Sequence, residues 1–444
     1  MILRDYQVSI SNEGADILNR LNIVCLAMEV RLGKTYTSLE ICRLAGANKV
    51  LFLTKKKAIS SIQSDYDTMA PGFDITIINY ESIHKIEDIM FDVVVCDESH
   101  TMSAFPKPSI RTRQIRKMLS INNAKLILMT GTLTPESYSQ IFHQFYVHPD
   151  NPFRNYKNFY AWSHDYVNVW QRKINSFMVN DYSRGIEDKI MGAVSPYVIS
   201  FTQKEAGFST NIEEEILYVR MQDRTYQICD RLSKDLVVEG ADEVILGDTP
   251  AKLMQKLHQL YSGTVKFESG NSMAIDRTKA IFVRDKFRGV KIGIFYKFKE
   301  ELKVLQSVFG DSLTADLDEF NSTDKSIALQ IVSGREGISL RSAAHLVFYN
   351  IDFSAVSYWQ ARDRMTTMDR TFNKVYWVFS EGGIEDKIYA AVKKKKSYTV
   401  NIFKKDYDIK LCKLKNDKSS VRSSIELYEE KLINQLEIDF DDCE

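Results

Sequence analysis

Two short runs in this 444-residue chain carry residue types suited to phosphate chemistry. The first is Gly33-Lys34-Thr35. It follows an apolar stretch and opens a stretch with helical spacing. In that setting backbone N–H groups at a helix start can cradle phosphate oxygens, a lysine can reach the outer phosphates and a threonine hydroxyl can ligate Mg²⁺. The usual pattern G-x-x-x-x-G-K-[ST] would place an earlier glycine at position 28, which is Met28. The second run is "VVVCDESH", with Asp97 and Glu98 at the end of an apolar strand candidate. Ligands of open α/β sheets bind at the carboxyl ends of strands. There one carboxylate can hold Mg²⁺ and the next can orient and deprotonate a water.

Such residues need elements to position them. "NIVCLAMEV" (22–30), "KVLFLT" (49–54), "DITIINY" (74–80), "FDVVVCDE" (91–98) and "AKLILMTGT" (124–132) are short apolar runs bounded by polar residues, and predict buried strands. Helical spacing fills Thr35–Ala45 and Ile59–Met69. This alternation predicts a mainly parallel sheet covered on both faces. From about 135 to 207 the rhythm breaks and aromatics crowd the sequence, predicting a mostly helical insertion whose rings serve either as core or as a stacking platform or wedge. A second series follows at 291–298, 327–334, 345–351 and 374–380, with a helix over "KEELKVLQSVFG". The expected division is one α/β lobe over 1–205, with the extension at 135–205, a second over 206–415, and a C-terminal helix with an acidic tail over 416–444.

Composition bounds the function. Lysine plus arginine and aspartate plus glutamate both number 59, so net charge is zero and any nucleic-acid surface must be local. Six scattered cysteines form no CxxC pair, which argues against a zinc site or disulfide framework, and Cys25 and Cys96 read as core residues. The histidines show no metal-ligand spacing. With no apolar run near the length of a membrane span and no secretory signal, a cytoplasmic, monomeric protein without membrane association is expected.

"LRDYQ" (3–7), GKT (33–35), "DESH" (97–100), "MTGT" (129–132), "SGREGISL" (333–340) and "QARDRMTTMDR" (360–370) occur in that order. They resemble the Q motif and motifs I, II, III, V and VI of superfamily two helicases. The segment after DESH and the "INYESI" run resemble Swi/Snf-type ATPases, and the altered motif I resembles small phage-encoded helicases of branch-migration type. The resemblance implies two tandem RecA-like lobes, ATP and Mg²⁺ as ligands, and forked, branched or duplex DNA as partner. It also implies roles. Gln7 would read the adenine edge with Arg4 and Tyr6 nearby. Gly33, Lys34 and Thr35 would hold phosphates, with Thr35 and Asp97 on the metal and Glu98 as base. His100, Thr130, Gly131 and Thr132 would couple nucleotide state to the interlobe cleft, which Gly337 and Gln360 would face from the second lobe.

The chain departs from the family pattern twice. In motif VI, Asp363 replaces a glycine and Thr367 replaces the second arginine, leaving Arg364 as favoured charge stabiliser and Arg370 as candidate, three positions of one helix side. In motif I, Arg31 stands where a glycine is usual and is either a phosphate or carboxylate contact or a solvated loop residue. Lys55, Lys56 and Lys57, Arg111, Arg113 and Arg116, and Lys297 and Lys299 are candidate contacts to a DNA backbone or ordinary charged surface. The expected activity is a DNA-dependent ATPase and helicase, 3′→5′ by resemblance, acting in recombination or repair. The competing expectations are a duplex translocase and a nucleotide-gated binding module with little turnover.

Overall fold

The computed structural model describes residues 3–86, 89–134, 137–174, 177–208, 211–240, 242–334, 340–366 and 372–394. They form two compact units, one from residues up to 208 and one from residue 211 onward. Motif V residue Gly337, motif VI residues Thr367 and Arg370, and the tail lie outside the described residues.

The first unit runs α1 (Asp5–Leu21), β1 (Ile23–Met28), α2 (Lys34–Leu44), β2 (Lys49–Thr54), α3 (Ile59–Met69), β3 (Asp74–Asn79), β4 (Val93–Cys96), α4 (Ile110–Asn122) and β5 (Lys125–Thr130). It continues with α5 (Ile141–Phe145), α6 (Phe159–Tyr166), a hairpin of β6 (Trp170–Ile174) and β7 (Phe177–Asp181), α7 (Glu187–Val194) and β8 (Val198–Phe201). Six strands pair in parallel in the order β3-β2-β4-β5-β1-β8 among the described residues. Alternation sorts their side chains into two cores. Cys25, Leu51, Leu53, Val94, Cys96, Leu126 and Leu128 face one layer of helices, while Val24, Leu26, Phe52, Val93, Val95 and Ile127 face the other. Both faces being covered explains the unbroken apolar runs.

The insertion contains the expected helices and also two features the sequence did not announce. One is the antiparallel β6–β7 hairpin. The other is β8, which pairs with β1 along Cys25↔Val198 to Met28↔Phe201 and completes the sheet. Its four residues are too few and too mixed to show a period. Most of the aromatic crowding resolves as core: Phe142, Phe145, Phe153, Phe159 and Trp162 are all at most 2% exposed, while Tyr160 and Trp170 are exposed. The Phe142 ring lies 4.5–5.7 Å from those of Tyr146, Phe153, Phe159 and Trp162.

The second unit runs β9 (Asn211–Val219), α8 (Asp223–Asp235), β10 (Val237–Glu239), β11 (Val244–Leu246), α9 (Pro250–Leu260), β12 (Thr264–Lys266), β13 (Ser272–Ala274), α10 (Thr278–Lys286), β14 (Ile292–Tyr296) and α11 (Lys299–Phe309). Then come β15 (Leu313–Thr314), α12 (Leu317–Ser322), β16 (Ser326–Gln330), α13 (Ile331–Gly334), β17 (His345–Phe348), α14 (Ala355–Arg362), β18 (Phe372–Ser380) and α15 (Glu385–Lys393). Its main sheet is parallel, in the order β15-β16-β14-β17-β18-β9. Two parallel six-stranded sheets, each flanked by helices, match the predicted fold class. No described helix is long and apolar enough to cross a membrane.

The ring cluster of the insertion is testable as core. Phe142→Ala should destabilise the first unit by about 3–5 kcal/mol, the range for a buried phenylalanine whose site cannot fully collapse. Chemical denaturation followed by tryptophan fluorescence measures it, and a loss under 1 kcal/mol would contradict a packed core.

Candidate active site

Parallel strands deliver their carboxyl ends to one edge of the first sheet. β1 leads into the 29–33 loop, β4 into Asp97 and Glu98, and β5 into Gly131 and Thr132. The sequence thus folds three separate predicted motifs into one place.

Gly33 caps α2 with φ of 73° and ψ of 38°, a left-handed conformation that glycine adopts without strain. A Cβ there would also stand 2.2 Å from Gln7 Nε2, so a side chain at this position would displace the Gln7 amide. Gln7 is buried. Its Nε2 reaches the Leu32 and Gly33 carbonyls at 3.4 Å each, and its Oε1 accepts from Arg4 N at 2.9 Å. Tyr6 donates its hydroxyl to Leu32 O at 3.3 Å, accepts from Arg4 Nη1 at 3.0 Å, and stacks on Phe201 with centroids 5.0 Å apart. Arg4, Tyr6 and Gln7 therefore hold the backbone of the loop. Arg31 is itself left-handed, with φ of 67°, an uncommon conformation for a non-glycine residue.

Lys34 Nζ donates to Met28 O at 3.0 Å and Glu29 O at 3.1 Å. It lies 3.8 Å from where a Cβ on Gly131 would sit, so the loop lysine and the Thr130-Gly131-Thr132 turn are adjacent. Thr35 occupies the first turn of α2 with its backbone carbonyl accepting from Ser38 Oγ at 2.8 Å.

Asp97 and Glu98 stand at the strand end with contrasting surroundings. Asp97 accepts from Thr54 Oγ1 at 2.8 Å and from Glu98 N at 3.0 Å. Burial and the adjacent Glu98 charge push its carboxyl up, against the pull of Thr54, Lys34 and the Glu98 N–H. Burial acts the same way on Glu98, yet the His100 hydrogen bond and charge, with Lys34 and Lys55, overcome it and hold Glu98 below the usual carboxylate range. Glu98 has φ of 48° and ψ of 52°, a strained left-handed backbone of the kind that collects at functional sites. His100 Nδ1 lies 3.2 Å from both Glu98 Oε2 and Thr130 Oγ1. Thr130 Oγ1 in turn bridges Thr132, donating to its O and accepting from its N at 3.0 Å each. Three of the four predicted coupling residues, His100, Thr130 and Thr132, are joined by these contacts.

The donor set fits a divalent cation that also takes phosphate oxygens. An ionised carboxylate has about four acceptor positions, and the two hydrogen bonds described leave positions on Asp97 for a metal. Among the described residues no cluster of three or more His, Cys, Asp or Glu side chains could hold a metal without such a ligand.

Sequence inspection missed several supports. Gln203 donates its N–H to Glu29 Oε2 at 2.7 Å and its side-chain amide to Val30 O at 3.0 Å, so the segment after β8 braces the loop. Gln144, fully buried on α5, accepts from Ser99 Oγ at 3.1 Å and donates to Leu133 O at 2.9 Å, joining the segments after β4 and β5. Only Thr54 had a signal, since the last residue of β2 must neighbour the end of β4.

The predicted basic contacts divide. Lys56 and Arg113 are exposed, and Lys55 is half-buried beside Glu98. Arg111 pairs with Glu81 at 2.6 Å and sits 4.7 Å over the Tyr80 ring. In the second unit Lys297 pairs with Asp352 at 2.6 Å and lies 4.0 Å over the Phe353 ring. Gln360 is buried on α14. The helix expected to carry 364, 367 and 370 on one side is not continued from α14 into 364, since α14 stops at Arg362. A 3₁₀ turn, Asp363–Met365, carries Arg364, whose carbonyl leaves the helical register to accept from Leu340 N at 3.0 Å.

No protein-family model matches the sequence, and no curated protein does. Among solved structures, the chain is similar to the Sulfolobus solfataricus SWI2/SNF2 ATPase core in complex with dsDNA, at 15% identity and TM-score 0.41, covering 91% of this chain and 92% of that one. It is also similar to the Sulfolobus solfataricus SWI2/SNF2 ATPase core domain, at 15% identity and TM-score 0.38, covering 92% of each.

Gly33→Ala tests the loop. Left-handed strain alone should cost about 1–2 kcal/mol in denaturation, and displacement of Gln7 with a distorted loop should weaken binding of a fluorescent ATP analogue. Unchanged affinity in that titration would mean the loop does not hold phosphate.

Proposed function

We propose that this protein is an ATP- and Mg²⁺-dependent motor acting on DNA. The observation that carries the proposal is the convergence of Lys34, Asp97, Glu98 and the Thr130–Thr132 turn on one sheet edge, with Glu98 kept ionised beside His100. Thr35 and Asp97 would hold Mg²⁺, which would neutralise charge on the phosphates when bound. Lys34 would exchange its two loop carbonyls for phosphate oxygens. Glu98, strained and charged, would orient a water and accept its proton. Arg364 would stabilise charge on the transferred phosphoryl group, with Arg370 as the other candidate.

Thr130 links the base to the segment after β5 through His100. A change at Glu98 during turnover is thus communicated to Thr132 and, through Ser99 and Gln144, to α5. This supports a motor over a passive nucleotide-gated binding module. Exposed Lys56 and Arg113 are proposed DNA-backbone contacts. On sequence resemblance we further infer a helicase of the branch-migration kind with 3′→5′ polarity, working in the cytoplasm in recombination or repair. A duplex translocase is the second form of the same activity, favoured by the Swi/Snf-like run after Asp97.

Phosphate release measured with single-stranded, duplex, forked and four-way DNA, and with RNA, tests the proposal. Glu98→Gln should lower DNA-stimulated turnover by about 10²–10⁴-fold, the scale of a lost general base, while ATP binding persists. Equal turnover in variant and wild type would overturn the mechanism. Strand separation of forks against triplex displacement on uninterrupted duplex then divides helicase from translocase. Arg31→Ala should lower turnover if its left-handed placement serves the phosphates, and leave it unchanged if Arg31 only shapes the surface.

A further inference from the structure

Three consecutive glutamates, Glu213, Glu214 and Glu215, occupy β9. Successive strand side chains point to opposite faces. Glu213 and Glu215 share the face on which Lys374 of β18 lies 3.1 Å and 2.8 Å away. Glu214 turns the other way, under α14 and α15. There its carboxylate accepts from Tyr358 hydroxyl at 2.8 and 2.9 Å, Arg362 Nη1 at 3.0 Å, Trp377 Nε1 at 2.9 Å and Tyr389 hydroxyl at 3.1 Å. The rings of Tyr358, Trp377 and Tyr389 pack on one another at 5.1–5.9 Å, so three aromatic residues aim their single polar atoms at one group. Only about 11% of the Glu214 side chain is exposed, and these donors fill the acceptor positions a carboxylate offers.

Tyr358 and Arg362 are one helical turn apart on α14, the helix that carries Gln360 and runs into Arg364. The far end of the same segment is fixed separately. Leu340 N donates to Arg364 O at 3.0 Å, and Asn373 Nδ2 donates to Thr366 Oγ1 at 3.2 Å. The stretch from 358 to 366 is therefore pinned at its head by Glu214 and at its tail by Leu340 and Asn373.

We propose that Glu214 is a positioning residue for Arg364, setting the orientation of the α14 segment that presents it. The proposal rests on the role given to Arg364 above. A glutamine at 214 keeps the shape but supplies one acceptor oxygen, turns an N–H₂ group toward other donors and leaves the Arg362 cation without its carboxylate.

The experiment combines turnover with hydrogen exchange on the full chain. Glu214→Gln should lower DNA-stimulated kcat by about tenfold or more, a typical consequence of slight misplacement, with KM for ATP within about twofold because the proposed phosphate and metal contacts, Lys34, Thr35 and Asp97, belong to the other unit. Amide exchange across 355–366 should accelerate while β14 and β16 stay protected. In an Arg364→Ala background, Glu214→Gln should cause no further loss of kcat, since the group whose loss kcat reads is gone. Losses that multiply in that background, or a variant that melts earlier yet keeps full kcat, would reduce Glu214 to a stabilising residue. Should Glu214→Gln fail to fold, Tyr358→Phe removes one donor and keeps its ring, and should show the same kcat and exchange effects more weakly; its absence there overturns the proposal. If the wild type hydrolyses no ATP, the role of Arg364 fails on its own, while unchanged exchange across 355–366 would separately sink the positioning claim.

Discussion

Two carboxylates side by side at the end of a buried strand set the terms for the first unit. Burial disfavours both charges, and the Glu98 charge adds to the push on Asp97. The fold answers asymmetrically. Asp97 leans on neutral donors, Thr54 and the Glu98 N–H, and is pushed up. Glu98 is surrounded by His100, Lys34 and Lys55 and is pushed down. Neighbouring titratable groups whose surroundings drive them apart are the signature of divided roles in catalysis. The division depends on β2 and β4 being parallel neighbours, because that register alone brings Thr54 beside Asp97.

The same economy governs the loop after β1. Its backbone carbonyls are held by Tyr6 and Gln7 of α1 and by Lys34 of α2, and its start is tied to the segment after β8. Lys34 is the member of this set whose alternative partner would be a phosphate. The others keep the loop's shape when it leaves. A missing glycine at Met28 is then no defect. Met28 is fully buried as the last residue of β1, and the tight turning is done by Arg31 and Gly33.

Much of this could be read from the chain. The strands expected at 49–54 and the helix at Ile59–Met69 match β2 and α3 to the residue, because continuous apolar runs and helical spacing are local signals. Lys34, Asp97 and Glu98 were legible for a related reason, each abutting such a run. β9 and β8 were not. The glutamates of β9 hide its alternation, and β8 is short and draws its place from pairing with β1. The supports of the site were equally hidden. Gln203 meets Glu29 across 174 positions, and Gln144 meets Ser99 across 45, so both contacts exist only once the sheet order is known. The end of α14 at Arg362 was missed because nothing local marks it; the 3₁₀ turn is stabilised by Leu340, 24 positions upstream of the Arg364 carbonyl it caps.

Charged side chains serve two different ends in this fold. In the second unit several inward charges are paired, Lys279 with Glu385 at 3.1 Å and wholly buried, Lys297 with Asp352, and Arg362 with Glu214, while the buried carboxylates of Asp276 and Glu301 rest on neutral donors. Such pairs need geometry more than they add stability, since desolvation offsets much of their attraction. They specify where helices and strands sit. In the first unit, Asp97 and Glu98 share a partly matched site whose lysine is engaged by loop carbonyls. Shifted carboxylates facing a strand-end edge mark a place for chemistry, and matched pairs under a helix mark a place for orientation. The chemistry proposed here would sit with the strand-end carboxylates of the first unit, and the role proposed for Glu214 is to hold the short Arg364 turn of the second.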